Sequence, residues 1–214
     1  MRVAVLASGG GTNLQALLDT CRGEAPAQVV LVMSNNPRAG ALERARAAAV
    51  DAVVLEDPRD GASLLRLLAA HRIDLVVLAG YLKLVPEMVV AAYEGRMINI
   101  HPALLPSFGG KGMYGHHVHE AVLASGATVS GPTVHLVSVE YDRGAIVAQW
   151  PVPVAADDTP DTLAARVLKV EHQLLPTVVL AAARAGRVIR LAPCYENFDA
   201  GSAPAMLQDR LEPA

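Results

Sequence analysis

The sequence predicts an α/β fold in which an open, mostly parallel sheet is flanked by helices and is extended by an antiparallel hairpin near the C-terminal part. Short, uniformly apolar runs, among them residues 2–7 and 75–79, are typical of parallel strands that are buried on both faces. Segments with apolar residues at helical spacing follow these runs, so the chain begins as a repeated strand-helix pattern. An alternating run from residue 133, a turn at 140–144 and a return run predict the hairpin.

The composition favours one domain that binds small molecules. Of the 214 residues, 52% are hydrophobic, which is ample for a buried core, so we expect one domain over residues 1–192 and a tail over residues 193–214. No run reaches the ~18 apolar residues of a membrane span. A net charge of −3 offers no basic surface for nucleic acid. Cys21 and Cys194 are too far apart in sequence to form a disulfide framework or a metal-binding motif, which favours a cytoplasmic location. We expect the protein to be a monomer or a homodimer.

The first strand ends in a glycine-rich loop, residues 8–13 (SGGGTN), that opens a helix. Free backbone N–H groups and the positive end of the helix dipole favour an anion at such a junction, and phosphate is the expected ligand. Leu14 stands where the last glycine of a dinucleotide fingerprint would fall, and the lysine of a Walker loop is absent. A tight turn with Thr12 or Asn13 as the helix cap is the alternative interpretation.

Three further strands follow, each with its own helix. The expected strands are Val29 to Met33, Ala52 to Leu55 and Leu75 to Ala79, and the helices end near Ala49, begin at Leu64 and end near Tyr93. Ligands of open α/β sheets bind at the carboxyl ends of the strands, so the loops that leave these strands are candidates for a site.

The fifth strand, Met97 to His101, ends on two polar residues. Residues two apart in an extended strand point to one face, so Asn99 and His101 stand side by side. Pro102 has no N–H for a ladder and ends the strand at this pair. We expect the pair to share a cleft with the glycine loop, because both lie at the carboxyl ends of parallel strands. A polar pair that is satisfied by backbone groups at a strand end is the alternative.

A loop rich in Gly and Pro is expected over residues 106–114, followed by a helix over His117 to Leu123. His116, His117 and His119 together suggest a metal. No acidic or thiol partner stands at ligand spacing, however, so solvated polar residues are favoured and no metal is predicted.

The hairpin is expected to run from Thr133 to Val139 and back from Ile146 to Val152, with Asp142 at its turn. A turn aspartate most often bonds its own backbone, which is the default interpretation for Asp142.

One long amphipathic helix is expected from Thr159 to Ala185, and Pro176 marks a place where it can bend. Glu171 and His172 lie near its middle, where a surface position is the default for both.

Three segments carry a family resemblance: the opening loop at residues 8–15 (SGGGTNLQ), the run at 99–106 (NIHPALLP) and the turn at 141–144 (YDRG). Together they resemble the glycinamide ribonucleotide formyltransferases of the folate-dependent formyltransferase family, in register from about residue 2 to residue 193. The Asn-x-His-Pro run is shared by the wider group of 10-formyltetrahydrofolate hydrolases and transferases. By this resemblance, glycinamide ribonucleotide is indicated as the acceptor of the formyl group by the opening loop and by Glu171-His172 with Pro176.

The resemblance implies a Rossmann-like formyltransferase fold and a reaction of de novo purine biosynthesis. A formyl group would pass from 10-formyltetrahydrofolate, the cosubstrate, to the amine of glycinamide ribonucleotide, with no metal. It assigns catalysis to Asn99, His101 and Asp142, the ribonucleotide phosphate to Gly11, Thr12 and Asn13, and the ribose hydroxyls to Glu171. It assigns folate contacts to Arg59, Leu82, Lys83, Leu84 and Val85, together with Asn99. The chain departs from the family at Lys111, where relatives commonly carry a histidine, and at Pro132, which predicts an edge or bulge.

These residue types suit formyl transfer. When the amine attacks the formyl carbon, charge develops on the carbonyl oxygen, which an amide N–H of Asn99 and a protonated His101 would stabilise. A carboxylate at Asp142 would favour the imidazolium and orient it, so that the imidazole can carry a proton from the amine to the departing folate nitrogen. No motif for a nucleophilic Ser or Cys is present, which favours direct transfer through a tetrahedral intermediate.

Two other functions are weighed. A formyltetrahydrofolate hydrolase or a methionyl-tRNA formyltransferase would share the chemistry, but the relatives of each carry an additional domain for which we expect no room in this chain. A phosphate-binding module without turnover would leave the coincidence of Asn99, His101 and Asp142 unexplained.

Overall fold

A computed structural model describes residues 1–192 of the chain. The tail expected over residues 193–214 lies outside the described residues, and the division into one domain and a tail stays a prediction. Within residues 1–192 there are nine strands and six helices. The strands are β1 (Arg2–Leu6), β2 (Gln28–Ser34), β3 (Asp51–Val54), β4 (Leu75–Leu78), β5 (Met97–His101), β6 (Val129–Ser130), β7 (Thr133–Leu136), β8 (Ile146–Gln149) and β9 (Val152–Pro153). The helices are α1 (Thr12–Thr20), α2 (Gly40–Ala47), α3 (Gly61–Ala70), α4 (Glu87–Ala92), α5 (His116–Ala124) and α6 (Pro160–Ala185).

The main sheet has the strand order β3-β2-β1-β4-β5-β7-β8. Its first five strands are parallel, β7 is antiparallel to β5, and β8 is antiparallel to β7. The predicted α/β class, with a mostly parallel sheet and an antiparallel extension, is confirmed. The carboxyl ends of β1, β4 and β5 therefore meet at one edge, as the sequence predicts.

Each face of the sheet is covered by helices because the strands are apolar on both faces. Val5 on one face packs with Leu17 of α1 and Leu175 of α6. Leu6 on the other face packs with Leu68 of α3. All five side chains are fully buried, so β1 is fixed from both sides and the loop that leaves it is held in place.

The hairpin departs from the prediction in its second strand. The expected run from Ile146 to Val152 is divided: β8 ends at Gln149, and β9 pairs with β6 in a separate two-stranded sheet. Pro151 between them has no N–H with which to continue the ladder to β7. The first strand is also shorter than expected, since β7 ends at Leu136 and not at Val139. Pro132 lies just before β7, in the connection from β6, where no ladder N–H is needed. The edge position that it predicts is wrong, because β7 pairs with both β5 and β8.

Helix α6 forms as predicted and spans 26 residues. Thr159 caps it through a reciprocal pair of hydrogen bonds with Thr162, and Pro160 occupies the first turn, where its missing N–H costs nothing. Pro176 lies inside the helix without ending it, and Gly186 ends it at a φ of 69°. None of the helices in the described part of the chain is long and apolar enough to cross a membrane.

Candidate active site

The glycine loop presents an uncapped helix N-terminus. Gly11 stands before α1 with a φ of 75°, and no side chain caps the helix there, so the alternative in which Thr12 or Asn13 is the cap is wrong. Backbone N–H groups of the first turn thus remain free for an anion. Glycine is required at residue 11, because a Cβ there would lie 2.7 Å from the Cα of Ala41 and because the φ is left-handed.

Asn13 is engaged by a buried carboxyl of α6. Its Nδ2 donates to Oε2 of Glu171 at 2.6 Å, across 158 residues of sequence. Glu171 is buried, so its expected surface position is wrong. Burial raises the pKa of Glu171, and the hydrogen bond from Asn13 opposes this rise. The buried Oδ1 of Asn13 has no hydrogen-bond partner among the described residues, which leaves it available to a ligand.

Ser8 joins the glycine loop to the segment after β4. Its hydroxyl accepts a hydrogen bond from the N–H of Leu82 at 2.9 Å and donates one to Asn35 Oδ1 at 2.6 Å. Its own N–H donates to the carbonyl oxygen of Gly80 at 3.0 Å. The loop expected to bind phosphate and the segment expected to bind folate are therefore held against each other.

The pair at the end of β5 faces one space, as the sequence predicts. Nδ2 of Asn99 lies 3.0 Å from His135 Nε2 and donates to Asp142 Oδ1 at 3.4 Å. His101 Nδ1 lies 3.6 Å from Asp142 Oδ2. The amide, the imidazole and the carboxylate thus meet, although Asp142 comes from a separate segment of the chain.

Asp142 is held by other segments and not by its own turn, so the default interpretation for a turn aspartate is wrong. The N–H of Gly110 donates to its Oδ2 at 2.9 Å, and His135 Nε2 lies 3.5 Å from its Oδ1. Its φ of 56° is unusual for a residue other than glycine. Burial works against ionisation, but the contacts with His135, Gly110 and His101 outweigh it and lower the pKa of Asp142. The carboxylate is therefore ionised at neutral pH.

His101 has an acceptor near each ring nitrogen. Its Nε2 lies 2.8 Å from the carbonyl oxygen of Phe108, and its Nδ1 faces Asp142. Burial lowers the pKa of His101, while the Asp142 carboxylate and the Phe108 carbonyl raise it in part. A neutral imidazole that can become an imidazolium between two acceptors suits proton transfer.

His135 is a site residue that the sequence did not reveal. It pairs with Asn99 across β5 and β7, and its Nδ1 donates to the carbonyl oxygen of Leu136 at 2.8 Å. Its Nε2 faces both the Asn99 amide and the Asp142 carboxylate. The signal for His135 is the alternation along β7, but only the register between β5 and β7 places it opposite Asn99.

Thr133 fixes the segment that follows His101. Its hydroxyl donates to the carbonyl oxygen of Ala103 at 2.6 Å and accepts from the N–H of Leu105 at 3.0 Å. Gln149 of β8 donates to the same hydroxyl at 3.0 Å. The backbone on the C-terminal side of Asn99 and His101 is therefore anchored to two strands.

A cavity of about 620 Å³ opens above these groups. The residues that line it include the polar side chains of Asn13, Asn99, His101, His135, Asp142 and Glu171. They also include the segment Tyr81, Leu82, Lys83, Leu84 and Val85. The cavity suits a flat, drug-sized ligand with one polar end. Gly11, Thr12 and Arg59 are not among its lining residues. Arg59 is exposed and contacts Asp57 at 3.2 Å, so its folate contact stays a prediction.

The three histidines at the start of α5 do not point toward one common site. His116 faces Asp161 at 3.3 Å, His117 faces Glu120 at 3.3 Å, and His119 is buried beside the cavity. In residues 1–192 no three potential metal-binding side chains of the His, Cys, Asp and Glu types converge. Lys111, which departs from the family pattern, is exposed at the edge of the cavity.

Stability is expected to fall in mild acid because of His119. Burial, with smaller contributions from His116 and His101, lowers the pKa of His119 to about 4 from 6.5, and no group bonds its Nδ1 among the described residues. In the unfolded chain His119 binds a proton near pH 6.5, whereas in the folded chain it does so only near pH 4. The folded state therefore loses stability relative to the unfolded state as the pH falls below about 6.5. The loss should reach about 3 kcal/mol as the pH falls through this window.

Urea denaturation at several pH values between about 7 and 4 measures this effect. His119→Phe should flatten the dependence, whereas His117→Phe, on the exposed side of the same helix, should leave it unchanged. Equal pH dependence in wild type and in His119→Phe would contradict the assignment.

Comparison with known proteins agrees with the site. The model of the family described as formyl transferase matches residues 1–179. Phosphoribosylglycinamide formyltransferase of Arabidopsis thaliana, a chloroplastic protein, is 48% identical over 186 residues, which are 83% of this chain and 64% of that protein. The chain thus spans less than two thirds of this plant relative.

Two solved structures are similar over most of their length. Glycinamide ribonucleotide transformylase 1 from Symbiobacterium toebii is 40% identical, with a TM-score of 0.81, over 89% of this chain and 93% of that one. Phosphoribosylglycinamide formyltransferase from Anaplasma phagocytophilum is 38% identical, with a TM-score of 0.80, over 86% of this chain and 87% of that one. With a family model that covers most of the sequence and two similar solved structures, the chain belongs to the formyl transferase family.

Proposed function

We propose that the protein transfers the formyl group of 10-formyltetrahydrofolate to the amine of glycinamide ribonucleotide. The observation that carries the proposal is the meeting of Asn99, His101 and Asp142 at one cavity, whose lining also includes Asn13 and Glu171. A donor, a proton carrier and an orienting carboxylate are the groups that amine attack on a formyl carbon needs. The names of the Arabidopsis, Symbiobacterium and Anaplasma relatives support the choice of acceptor.

The two substrates have distinct places in this proposal. The free N–H groups at the start of α1, from Gly11 to Asn13, bind the ribonucleotide phosphate, and Glu171 binds the ribose hydroxyls. The folate lies along Leu82 to Val85, where two leucines expose almost half of their surface. Apolar side chains that project at a cavity mouth are suited to a flat heterocycle.

The reaction then follows from the contacts. The amine of the acceptor attacks the formyl carbon, the new C–N bond forms, and the carbonyl electron pair moves onto oxygen. An Asn99 N–H and the imidazolium of His101 stabilise this oxyanion. The 3.4 Å hydrogen bond from Asn99 to Asp142 is the longer of the contacts of that amide, so it is the one that the ligand oxygen replaces.

Collapse of the tetrahedral intermediate breaks the bond between the formyl carbon and the folate nitrogen. The electron pair of that bond goes to the nitrogen, which takes a proton. His101 carries the proton from the attacking amine to this nitrogen, and Asp142 keeps the ring oriented and stabilises its charged form. No covalent intermediate on the enzyme is needed.

A turnover assay tests the proposal. Purified protein should consume 10-formyltetrahydrofolate only when glycinamide ribonucleotide is added, with one tetrahydrofolate formed for each formylated product. Consumption at the same rate without the acceptor would indicate a hydrolase, and no consumption in either case would favour a binding module.

We also propose that the protein is located in the cytoplasm.

Asn13→Ala is expected to raise the KM for glycinamide ribonucleotide by about 10-fold and to change the KM for the folate little. The substitution removes the amide bonded to Glu171 and the unpartnered Oδ1, and one polar contact to a bound ligand is worth about this much. Steady-state kinetics with each substrate varied in turn measures the two constants. An equal rise in both would contradict the placement of the ribonucleotide.

A further inference from the structure

The glycine loop lies on helix α2. The N–H of Ala41 donates to the carbonyl oxygen of Gly9 at 3.1 Å, and the backbone at Gly11 approaches Ala41 so closely that a side chain at residue 11 is excluded. Helix α2 therefore helps to set the position of the glycines of the loop, since no side chain caps α1 at Gly11.

Arg44 is the α2 side chain that reaches over the loop. Its Nε donates to the carbonyl oxygen of Gly10 at 2.8 Å, and its Nη1 donates to Oε1 of Gln15 at 3.1 Å. Gln15 belongs to the first turns of α1, so one guanidinium spans the loop and the helix that it opens. The Arg44 side chain is half-buried, which limits the alternative positions that it can take.

The contact with Gly10 controls the direction of a dipole. A carbonyl oxygen in an anion-binding loop would repel a phosphate if it pointed toward the bound oxygens. Arg44 holds this carbonyl by a charge-assisted hydrogen bond, so the oxygen is turned toward the guanidinium. The loop then presents N–H groups and not C=O groups to the ligand.

The same guanidinium brings a permanent positive charge to the loop. An arginine stays charged at every relevant pH, and its charge is felt beyond the loop, because Arg44 adds to the effect of burial in lowering the pKa of His172 on α6. Through its fork, arginine can hold two acceptors in different directions, whereas lysine offers a single charged point.

We propose that Arg44 is a positioning residue for the phosphate of the acceptor substrate. It orients the Gly10 carbonyl away from the anion and supplies part of the positive potential at the start of α1. This inference rests on the proposed function, in which that loop binds the ribonucleotide phosphate. It assigns to Arg44 no role in the formyl transfer step.

The test compares Arg44→Gln and Arg44→Lys with Arg46→Gln, an exposed arginine on the same helix. Arg44→Gln should raise the KM for glycinamide ribonucleotide about 10-fold, the size of one charge-assisted contact, with kcat and the folate KM within about 2-fold of wild type. Arg44→Lys should recover part of the loss, because the charge remains but the fork is gone. Arg46→Gln should behave as wild type.

A second readout separates phosphate recognition from general loosening of the loop. Inorganic phosphate should inhibit wild type competitively against the ribonucleotide, and its inhibition constant should rise in Arg44→Gln by about the same factor as the KM. The glycinamide riboside, which lacks the 5′-phosphate, should react equally in wild type and Arg44→Gln. An unchanged ribonucleotide KM, or an equal loss for riboside and ribonucleotide, would overturn the proposal.

Calorimetric titration of inorganic phosphate needs no turnover, so it tests Arg44 independently of the proposed reaction. Weaker phosphate binding in Arg44→Gln than in Arg46→Gln supports the role even if glycinamide ribonucleotide proves not to be the acceptor. Equal phosphate binding in both variants, or no binding in wild type, rejects it. If Arg44→Gln does not fold, Arg44→Lys is compared with Arg46→Gln in the same titration.

Discussion

Replacement of His101 by alanine is expected to lower kcat by at least about 100-fold and to leave the fold intact. The substitution removes both the proton carrier and one stabiliser of the oxyanion, and each such group contributes a factor of about 10² to 10⁴. His101 is buried at the end of β5, but its ring nitrogens contact only Phe108 and Asp142 among the residues described, so few structural bonds are lost.

Asn99→Ala and Asp142→Asn should show losses of similar size for different reasons. Asn99→Ala removes the amide donor, whereas Asp142→Asn keeps the shape and removes the charge that favours the imidazolium. Single-turnover kinetics on all three variants measures the chemical step, and circular dichroism confirms the fold. His117→Ala, on the exposed side of α5, is the matched control. Near-normal rates for all three variants would refute the assignment of this trio.

Gly144→Ala is expected to lower kcat by about 10-fold to 100-fold, although residue 144 touches no reacting atom. A Cβ at this position would lie 1.7 Å from the carbonyl oxygen of Leu136, so the turn that carries Asp142 must move away from β7. Misplacement of a catalytic group by about 1 Å can cost about 10²-fold in rate. The effect should therefore appear in kcat more than in either KM.

Arg143→Ala is the control for this prediction. It shortens an exposed side chain of the same turn, and Arg143 is not among the residues that line the cavity. Its kcat should stay within about 2-fold of wild type, since exposed substitutions of this kind have small effects. A Gly144→Ala variant with wild-type kcat would show that the position of Asp142 is not set by this turn.

The parts of the fold that depend on local pattern could be predicted from the sequence. The end of β5 is predicted by the two-residue alternation of side chains along the strand and by Pro102, which cannot continue it. The structure gives Met97–His101 as the strand. The extent of α6 follows from its apolar stripe and from Thr159 at its start. In each case neighbouring residues carry the whole signal.

The parts that depend on strand register could not be predicted in the same way. His135 reaches Asn99 only because β7 runs antiparallel to β5 in one register, and nothing in the local sequence fixes that register. The place of Asp142 beside the pair was implied by the family resemblance and not by the pattern of its own turn. The split between β8 and β9 depends on pairing with β6, a strand of two residues that has no clear periodicity.

The structure supports the role that the resemblance gives to the glycine loop more strongly than the role that it gives to Arg59. Both were assigned to ligands from the resemblance. The loop has the free N–H groups that such a role requires, while Arg59 contacts Asp57 in its own loop. The loop's role thus has a physical basis in this structure, whereas the folate contact of Arg59 stays a prediction.

A structure of the protein with glycinamide ribonucleotide and a non-transferable 10-formyl folate analogue would decide whether the reacting ends of both ligands meet at the β5 terminus. The expected result is a formyl oxygen at about 3 Å from the Asn99 amide nitrogen or a His101 ring nitrogen, with the phosphate on the N–H groups of residues 11–13. A formyl group bound more than about 6 Å from both side chains, beyond the reach of a bridging water, would contradict the proposed mechanism.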